Sequence, residues 1–208
     1  MCPQVSADHY GFLEYESEAR FSSYYHQVKS LLELKPETVL EIGCGSSTFL
    51  SLIRSLGLTA YSVDLDVNLK PTISASVLDL PIKDNSIDVV VAFQVLEHLP
   101  FEKFYHCLSE LCRVSKTGVV ISLPDFGNFG VVFSIPYIRK LAFSFHVLPF
   151  LPKHKFDGQH YWEINKKGYS LKKIASVIDS AGLACVKTYL NPYNPYHRFF
   201  VLKKKISR

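Results

Sequence analysis

The sequence contains no run of roughly 18 uncharged apolar residues, so no membrane-spanning helix and no stable membrane insertion are expected. Paired cysteine spacings are also missing. Cys2, Cys44, Cys107, Cys112 and Cys185 form an odd, scattered set. That excludes a disulfide frame and a zinc-finger pattern, and it predicts reduced thiols in a cytoplasmic protein. Charge of one sign is scarce: 23 Lys and Arg against 19 Asp and Glu leave a net +4. The excess is dispersed over Lys166, Lys167, Lys172, Lys173, Lys203, Lys204, Lys205 and Arg208, a solvated surface and not a track for nucleic acid. The stretch from Met1 to Arg20 carries acids and no apolar core, so it is not read as a signal peptide. Internal repeats and low-complexity tracts are absent.

What is present is a globular composition, 48% hydrophobic and 20% charged over 208 residues, which suits one domain spanning 1–208. Its organising stretch is Val39-Leu40-Glu41-Ile42-Gly43-Cys44-Gly45-Ser46-Ser47-Thr48. A buried strand runs into a glycine turn, and Phe49 to Ile53 supplies the apolar side of a following helix. Glycines let a ligand approach the backbone, and the free N–H groups of a helix start attract a negative group. With Glu41 beside them, these donors suit a zwitterion better than a pyrophosphate.

The rest of the chain alternates strand and helix. Apolar spacings of three and four predict a helix over Glu18–Leu34, preceded by an irregular arm; together they form an N-terminal unit, 1–35. Strands are predicted at Val39–Ile42, Thr59–Asp64, Ile73–Val77, Ile87–Phe93 and Val119–Leu123. Helices are predicted at Thr48–Leu56, from Pro100 or Phe101 to Val114, and at Ser170–Ser180. Apolar strands in this rhythm indicate a parallel α/β sheet, with ligands at the strands' carboxyl ends. Leu183–Leu190 and Phe199–Lys203, joined by Asn191 to Tyr196, are predicted as an antiparallel pair. Residues 125–163, rich in Phe, Tyr, His and Pro, break the rhythm and read as an inserted cap.

Three strand ends carry polar groups suited to one ligand. They are the glycine turn, Asp64 about twenty residues on, and Ser76-Val77-Leu78-Asp79. A carboxylate at Asp64 can accept two ribose hydroxyls, and exposed backbone beside Ser76 can read an adenine edge. Asp79 is equally well a cap for the turn at Pro81. An NAD fingerprint needs glycine where this chain has Thr48, and no Gly-Lys-Ser/Thr phosphate loop occurs.

In this set the chain resembles class I S-adenosylmethionine-dependent methyltransferases, most of all the broad small-molecule group called type 11. Val39 to Gly45 is similar to the family's first motif, and Leu78-Asp79-Leu80-Pro81 to Val90 to its "DLPF-DNSFDVV" segment. Phe93-Gln94-Val95-Leu96-Glu97-His98-Leu99 resembles its "LEHL" motif, and Arg113 to Gly118 its "RVLKPGG". The departures are Ser47 for the third glycine, Ser76 for Asp or Asn, and Val119 for a second glycine. The resemblance implies a three-layer, Rossmann-like α/β fold, with a mostly parallel seven-stranded sheet ending in an antiparallel hairpin. It also implies S-adenosylmethionine as cofactor and S-adenosylhomocysteine as product. Glu41, Gly43, Gly45 and Ser46 would hold the methionine part, Asp64 the ribose, Ser76 and Val77 the adenine, with Phe93 beside the sulfonium.

Methyl transfer needs an aligned nucleophile and often a proton acceptor. His98 and His160 are the candidates, His160 as part of a lid formed by Gln159 to Glu163. The acceptor is expected to be a small molecule with an O, N or C nucleophile, and no metal and no nucleic acid are expected. No Asn/Asp-Pro-Pro-Tyr/Phe tetrapeptide follows the fourth strand. Residues 131–151 are apolar with Arg139 and Lys140; they read either as a helical cap with the basic pair in water or as a lid with peripheral membrane contact. Tyr24, Tyr25 and His26 are expected to wall the site from the first helix. Two alternatives stand beside this reading: a cofactor- or partner-binding domain without turnover, and an NAD-dependent reductase.

Overall fold

A computed structural model describes residues 7–133, 141–146 and 152–205. Its sheet strands are β1 (Thr38–Ile42), β2 (Thr59–Asp64), β3 (Ile73–Ser74), β4 (Ile87–Phe93) and β5 (Ser115–Pro124). A separate pair, β6 (Asn128–Phe133) and β7 (Leu141–His146), precedes β8 (Leu183–Asn191) and β9 (Asn194–Lys204). The helices are α1 (Phe12–Tyr15), α2 (Glu18–Leu32), α3 (Thr48–Ser55), α4 (Phe104–Val114) and α5 (Leu171–Ser180). The seven-stranded sheet has the order β3-β2-β1-β4-β5-β9-β8, and β9 alone runs against its neighbours.

Alternation along the strands makes the three layers. Leu40, Ile42, Val90, Ala92, Val119 and Ile121 face one way, onto Phe104, Leu108 and Leu111 of α4 and Ile174 and Ile178 of α5. Val39, Val89, Val91 and Val120 face the other way, onto Tyr24 and Leu31 of α2 and Phe49, Leu50 and Ile53 of α3. A strand with apolar residues at every position therefore has a helix layer to meet on both faces. The chain turns back across the sheet between β1 and β4, which opens a crevice at their carboxyl ends.

Several boundaries differ from the sequence reading. From Ala7 onward the segment before α2 is regular: Ala7–Tyr10 is a 3-10 turn, α1 follows, and next comes Glu16, which ties the segment to α2 and the glycine turn. Its Oε1 accepts hydrogen bonds from Tyr24, Ser46 and Thr48 at 2.9, 2.9 and 3.1 Å. The strand expected to reach Val77 stops at Ser74, because the Ser76 hydroxyl accepts from Leu78 N at 3.2 Å and curls the chain into a tight turn. The strand expected to start at Val119 starts at Ser115, where Lys116 pairs with Asp88 at 2.8 Å and the Thr117 hydroxyl bonds the Asp88 carbonyl at 2.7 Å. At the C-terminal hairpin only Pro192 and Tyr193 remain as the turn. Asn191 ties it to α2 by accepting from the Ser22 hydroxyl at 3.0 Å.

The expected helical cap is instead a β-ribbon. β6 and β7 pair antiparallel, from Asn128 opposite His146 to Phe133 opposite Leu141. Of the apolar stretch 131–151, residues 134–140 and 147–151 lie outside the described residues, and with them Arg139 and Lys140. No helix among the described residues is long and apolar enough to cross a membrane.

Candidate active site

The crevice holds a cavity of about 310 Å³ that runs from the glycine turn to the loop after β4. The turn is built by three left-handed residues, Gly43 (φ 75°), Gly45 (φ 46°) and Ser47 (φ 59°). A methyl group at Gly43 would sit 2.5 Å from Val95 Cγ2, and one at Gly45 would sit 3.1 Å from the Tyr10 ring. Gly43 is demanded by close approach as well as by φ; at Gly45 φ is the main demand, with the Tyr10 ring tight against the position. Ser47 takes the third left-handed position, a conformation that costs an L-residue about 1–2 kcal/mol.

Asp64 ends β2 and braces the turn. Its Oδ2 accepts the Cys44 N–H and its Oδ1 accepts the Asp66 N–H, both at 3.0 Å. A carboxylate has roughly four acceptor sites, so capacity is left over on the cavity side. Burial and Asp64 push the Cys44 thiol up to about 12, so it is no nucleophile at neutral pH.

Of the expected cofactor residues, Gly43, Gly45, Asp64, Ser76, Val77 and Phe93 all line this one cavity. Glu41 and Ser46 do not. Glu41 is 5% exposed beneath the turn, its Oε2 has no partner among the described residues, and burial together with Asp64 raises its pKa well above the carboxylate range. The Ser46 hydroxyl is engaged from behind by Glu16, Thr48 and Tyr24 at 2.9, 3.0 and 3.2 Å. Asp79 does not line the cavity; its N–H bonds the Ser76 carbonyl at 3.1 Å.

At the far end, His98, Leu99, Pro100 and Tyr161 close the cavity. The segment carrying Tyr161 docks onto the loop after β4. Tyr161 N–H bonds the Glu97 carbonyl at 2.9 Å, and the buried Trp162 donates Nε1–H to the Leu99 carbonyl at 3.1 Å. His98 is held through Nδ1, 3.1 Å from the Gln159 carbonyl, and burial and His160 lower its pKa. His160 does not line the cavity. Its ring lies behind His98 at 5.1 Å between centroids, with Nδ1 3.1 Å from the Tyr196 hydroxyl and 3.4 Å from Glu163. Burial opposes charge on His160, but Glu163, Glu97 and Asp157 outweigh it and its pKa rises. Glu97 is fully buried, with a carboxylate oxygen within 4.8 Å of a nitrogen of each of these rings, and burial pushes its carboxyl up to about 7.

The wall opposite is not the one expected from α2. Tyr25 is exposed, Tyr24 bonds Glu16, and His26 packs on Tyr189 and Phe199. Tyr10 and Tyr15, from the segment before α2, close the cavity there. Arg20 steadies them: its guanidinium lies 3.7 Å over the Tyr15 ring and its Nε donates to the Tyr15 carbonyl at 2.9 Å. Asp66, Gln94, Val95 and Tyr161 also line the cavity, and the buried Asp125 pairs with Arg198, none of them expected from the sequence. An acid directly after the buried strand β5, two positions beyond the Leu123 that pairs with Arg198 of β9, was the available signal for that pair.

Comparison with known proteins agrees with this geometry. A methyltransferase domain family matches residues 40–123. An uncharacterised protein of Methanocaldococcus jannaschii is 32% identical over 111 residues, covering 50% of this chain and 47% of the relative. A malonyl-[acyl-carrier protein] O-methyltransferase of Buchnera aphidicola is 32% identical over 94 residues, covering 40% and 37%. The chain thus spans half or less of the length of these curated relatives. Among solved structures, a SAM-dependent methyltransferase from Archaeoglobus fulgidus superposes with a TM-score of 0.61 at 16% identity, covering 89% of this chain and 94% of that one. The domain match over residues 40–123, the sheet order and this superposition together show a Rossmann-like α/β fold of the kind that S-adenosylmethionine-dependent methyltransferases have.

Proposed function

We propose that this chain, acting as one domain over 1–208, transfers a methyl group from S-adenosylmethionine to an O, N or C nucleophile of a small molecule. One observation carries the reading: the glycine turn, Asp64, the Ser76–Val77 turn and Phe93 line a single cavity whose other end is closed by His98 and Tyr161. The chemistry of the donor set fits the cofactor. The turn offers backbone at close approach, Asp64 keeps free acceptor capacity, and Glu41 Oε2 is a buried oxygen beneath the turn with no partner among the described residues.

When bound, the cofactor supplies an electrophilic sulfonium methyl, so no covalent enzyme intermediate is needed. Gly43 and Gly45 would hold its methionine part, with Glu41 and Ser46 fixing the turn from behind. Asp64 would accept the ribose hydroxyls, Ser76 and Val77 would hold the adenine, and Phe93 would meet the sulfonium end. Tyr10 and Tyr15, part of the 1–35 unit, exclude water over the turn. The cap, 125–163, brings Tyr161 to the acceptor end. There His98 is the ring placed to take the acceptor's proton, and His160 acts only through it.

The test is release of S-adenosylhomocysteine from S-adenosylmethionine with a panel of small phenols, amines and activated carbon acids. Turnover with at least one acceptor, reduced 100-fold or more in His98→Ala, supports the reading. Tight binding of cofactor with no turnover across the panel favours a binding domain. Nicotinamide dinucleotide binding in its place favours a reductase.

A further inference from the structure

Beside the acceptor end, three side chains from two separate segments converge. Glu97 and His98 lie on the 3-10 turn Leu96–His98 after β4, and His160 comes from the segment that ends at Trp162. One ligand atom from each lies within 4.8 Å of the other two. Glu97 is 0% exposed, and neither of its carboxylate oxygens has a hydrogen-bond partner among the described residues. A carboxylate buried with both oxygens unpaired is costly unless a proton or a cation meets it.

The histidines are oriented as metal ligands are. Ligating imidazoles are anchored through the ring nitrogen that is not on the metal, by a carbonyl or a carboxylate. His98 Nδ1 lies 3.1 Å from the Gln159 carbonyl. His160 Nδ1 lies 3.4 Å from Glu163 and 3.1 Å from the Tyr196 hydroxyl. Nε2 of each ring is then the ligand atom. The His98 ring also interacts with the Gln94 backbone, a contact that an ion would replace.

We propose that Glu97, His98 and His160 form a binding site for one first-row divalent transition ion, of which zinc is the simplest case. Two imidazoles and one carboxylate suit zinc, manganese or ferrous iron better than calcium or magnesium, which prefer all-oxygen shells. Three protein ligands leave a coordination position open. Because His98 lines the cavity, an ion on its Nε2 would stand at the acceptor end, where polarising an acceptor oxygen would replace the ring's own role as proton acceptor; that role rests on the methyltransferase reading, and ion binding itself does not. The overlapping set Asp157, His160 and Glu163 is the weaker candidate. Asp157 already accepts the N–H groups of Gln159 and His160 at 2.9 and 2.7 Å, and Glu163 accepts the Tyr196 hydroxyl at 2.9 Å.

The experiment is calorimetric titration of the untagged full chain with zinc, and with cobalt followed by visible absorption. The wild type is expected to bind one ion per chain. Glu97→Gln and His160→Gln should each weaken binding at least about tenfold, and Glu163→Gln by about tenfold through loss of the anchor. Lack of saturable binding to the wild type overturns the site, as does undiminished binding to both Glu97→Gln and His160→Gln. His160 is partly exposed, so its variant carries the test if Glu97→Gln does not fold. S-adenosylhomocysteine is titrated into the same samples. Its binding without any ion binding overturns this site alone, and ion binding without it overturns the cofactor reading alone.

Discussion

Asp64 carries two duties, and substitution separates them. Its Oδ2 and Oδ1 each hold a backbone N–H at 3.0 Å, of Cys44 and Asp66, so it joins the glycine turn to the end of β2. Hydrogen bonds to a charged group contribute about 1.5–3 kcal/mol each, and partial exposure places these near the lower figure. Asp64→Ala should therefore destabilise the fold by about 3 kcal/mol, a fall of about 6–12 °C in Tm for a chain of this size. Asp64→Asn should cost about half as much, because the amide oxygen serves one N–H while its NH₂ faces the other. For ligand binding, both variants also lose the carboxylate's outward acceptors for a ribose diol. At about 1.5–3 kcal/mol, the affinity for S-adenosylhomocysteine should fall roughly 10- to 150-fold. Denaturant unfolding and calorimetry on the same preparations read the two effects. If Asp64→Asn loses stability as expected but binds within twofold of wild type, the acid only braces the turn and the ribose lies elsewhere. If Asp64→Ala costs less than about 0.5 kcal/mol, the bracing itself is wrong.

Gly43→Ala adds left-handed strain of about 1–2 kcal/mol and a contact 2.5 Å from Val95, for a total of about 2–5 kcal/mol by denaturant unfolding; Val95→Ala in the same chain should recover the contact part, and a single-variant cost under about 1 kcal/mol would contradict the turn geometry. Tyr10→Ala removes the ring over Gly45 and should weaken S-adenosylhomocysteine binding about tenfold with little change in Tm; equal affinity would remove Tyr10 from the site. His197 is buried, its Nδ1 is 3.0 Å from the Ser23 hydroxyl, and burial lowers its pKa to about 3. The folded state thus binds fewer protons than the unfolded state, so this contribution to stability is complete above about pH 6.5 and is lost as pH falls toward about 3. His197→Gln should flatten the acid limb of unfolding free energy against pH by up to about 1.4 kcal/mol per pH unit; an unchanged slope between pH 6 and 4 would refute the assignment.

The strands and the glycine turn were legible because their signals are local. β1 and β4 are continuous apolar runs that only a sheet covered on both faces can bury, and Gly43-Cys44-Gly45 announces its own backbone. The N-terminal wall was not legible. Ala7–Tyr10 and α1 are too short to show a period, and what orders them is Glu16 meeting Ser46 and Thr48, some thirty residues away. Tyr24 and Tyr25 drew attention for their aromaticity, but the α2 phase turns Tyr24 into the core and Tyr25 to solvent. The β6–β7 ribbon was missed because its apolar run fits a buried helix or a strand equally well. His98 and Glu97 were visible as a motif. That the His98 ring reaches the cavity while the buried Glu97 carboxylate has no hydrogen-bond partner among the described residues depends on Trp162 and His160 docking from sixty residues later.

The central claim is that one cavity at the carboxyl ends of β1, β2 and β4 binds S-adenosylmethionine. A crystal structure of the chain with S-adenosylhomocysteine tests it most directly. The homocysteine part is expected over Gly43–Gly45, the ribose hydroxyls on Asp64, the adenine beside Ser76 and Val77, and the sulfur toward Phe93 and His98. Well-folded protein that crystallises without the ligand at saturating concentration, or that holds it outside this cavity, would contradict the account.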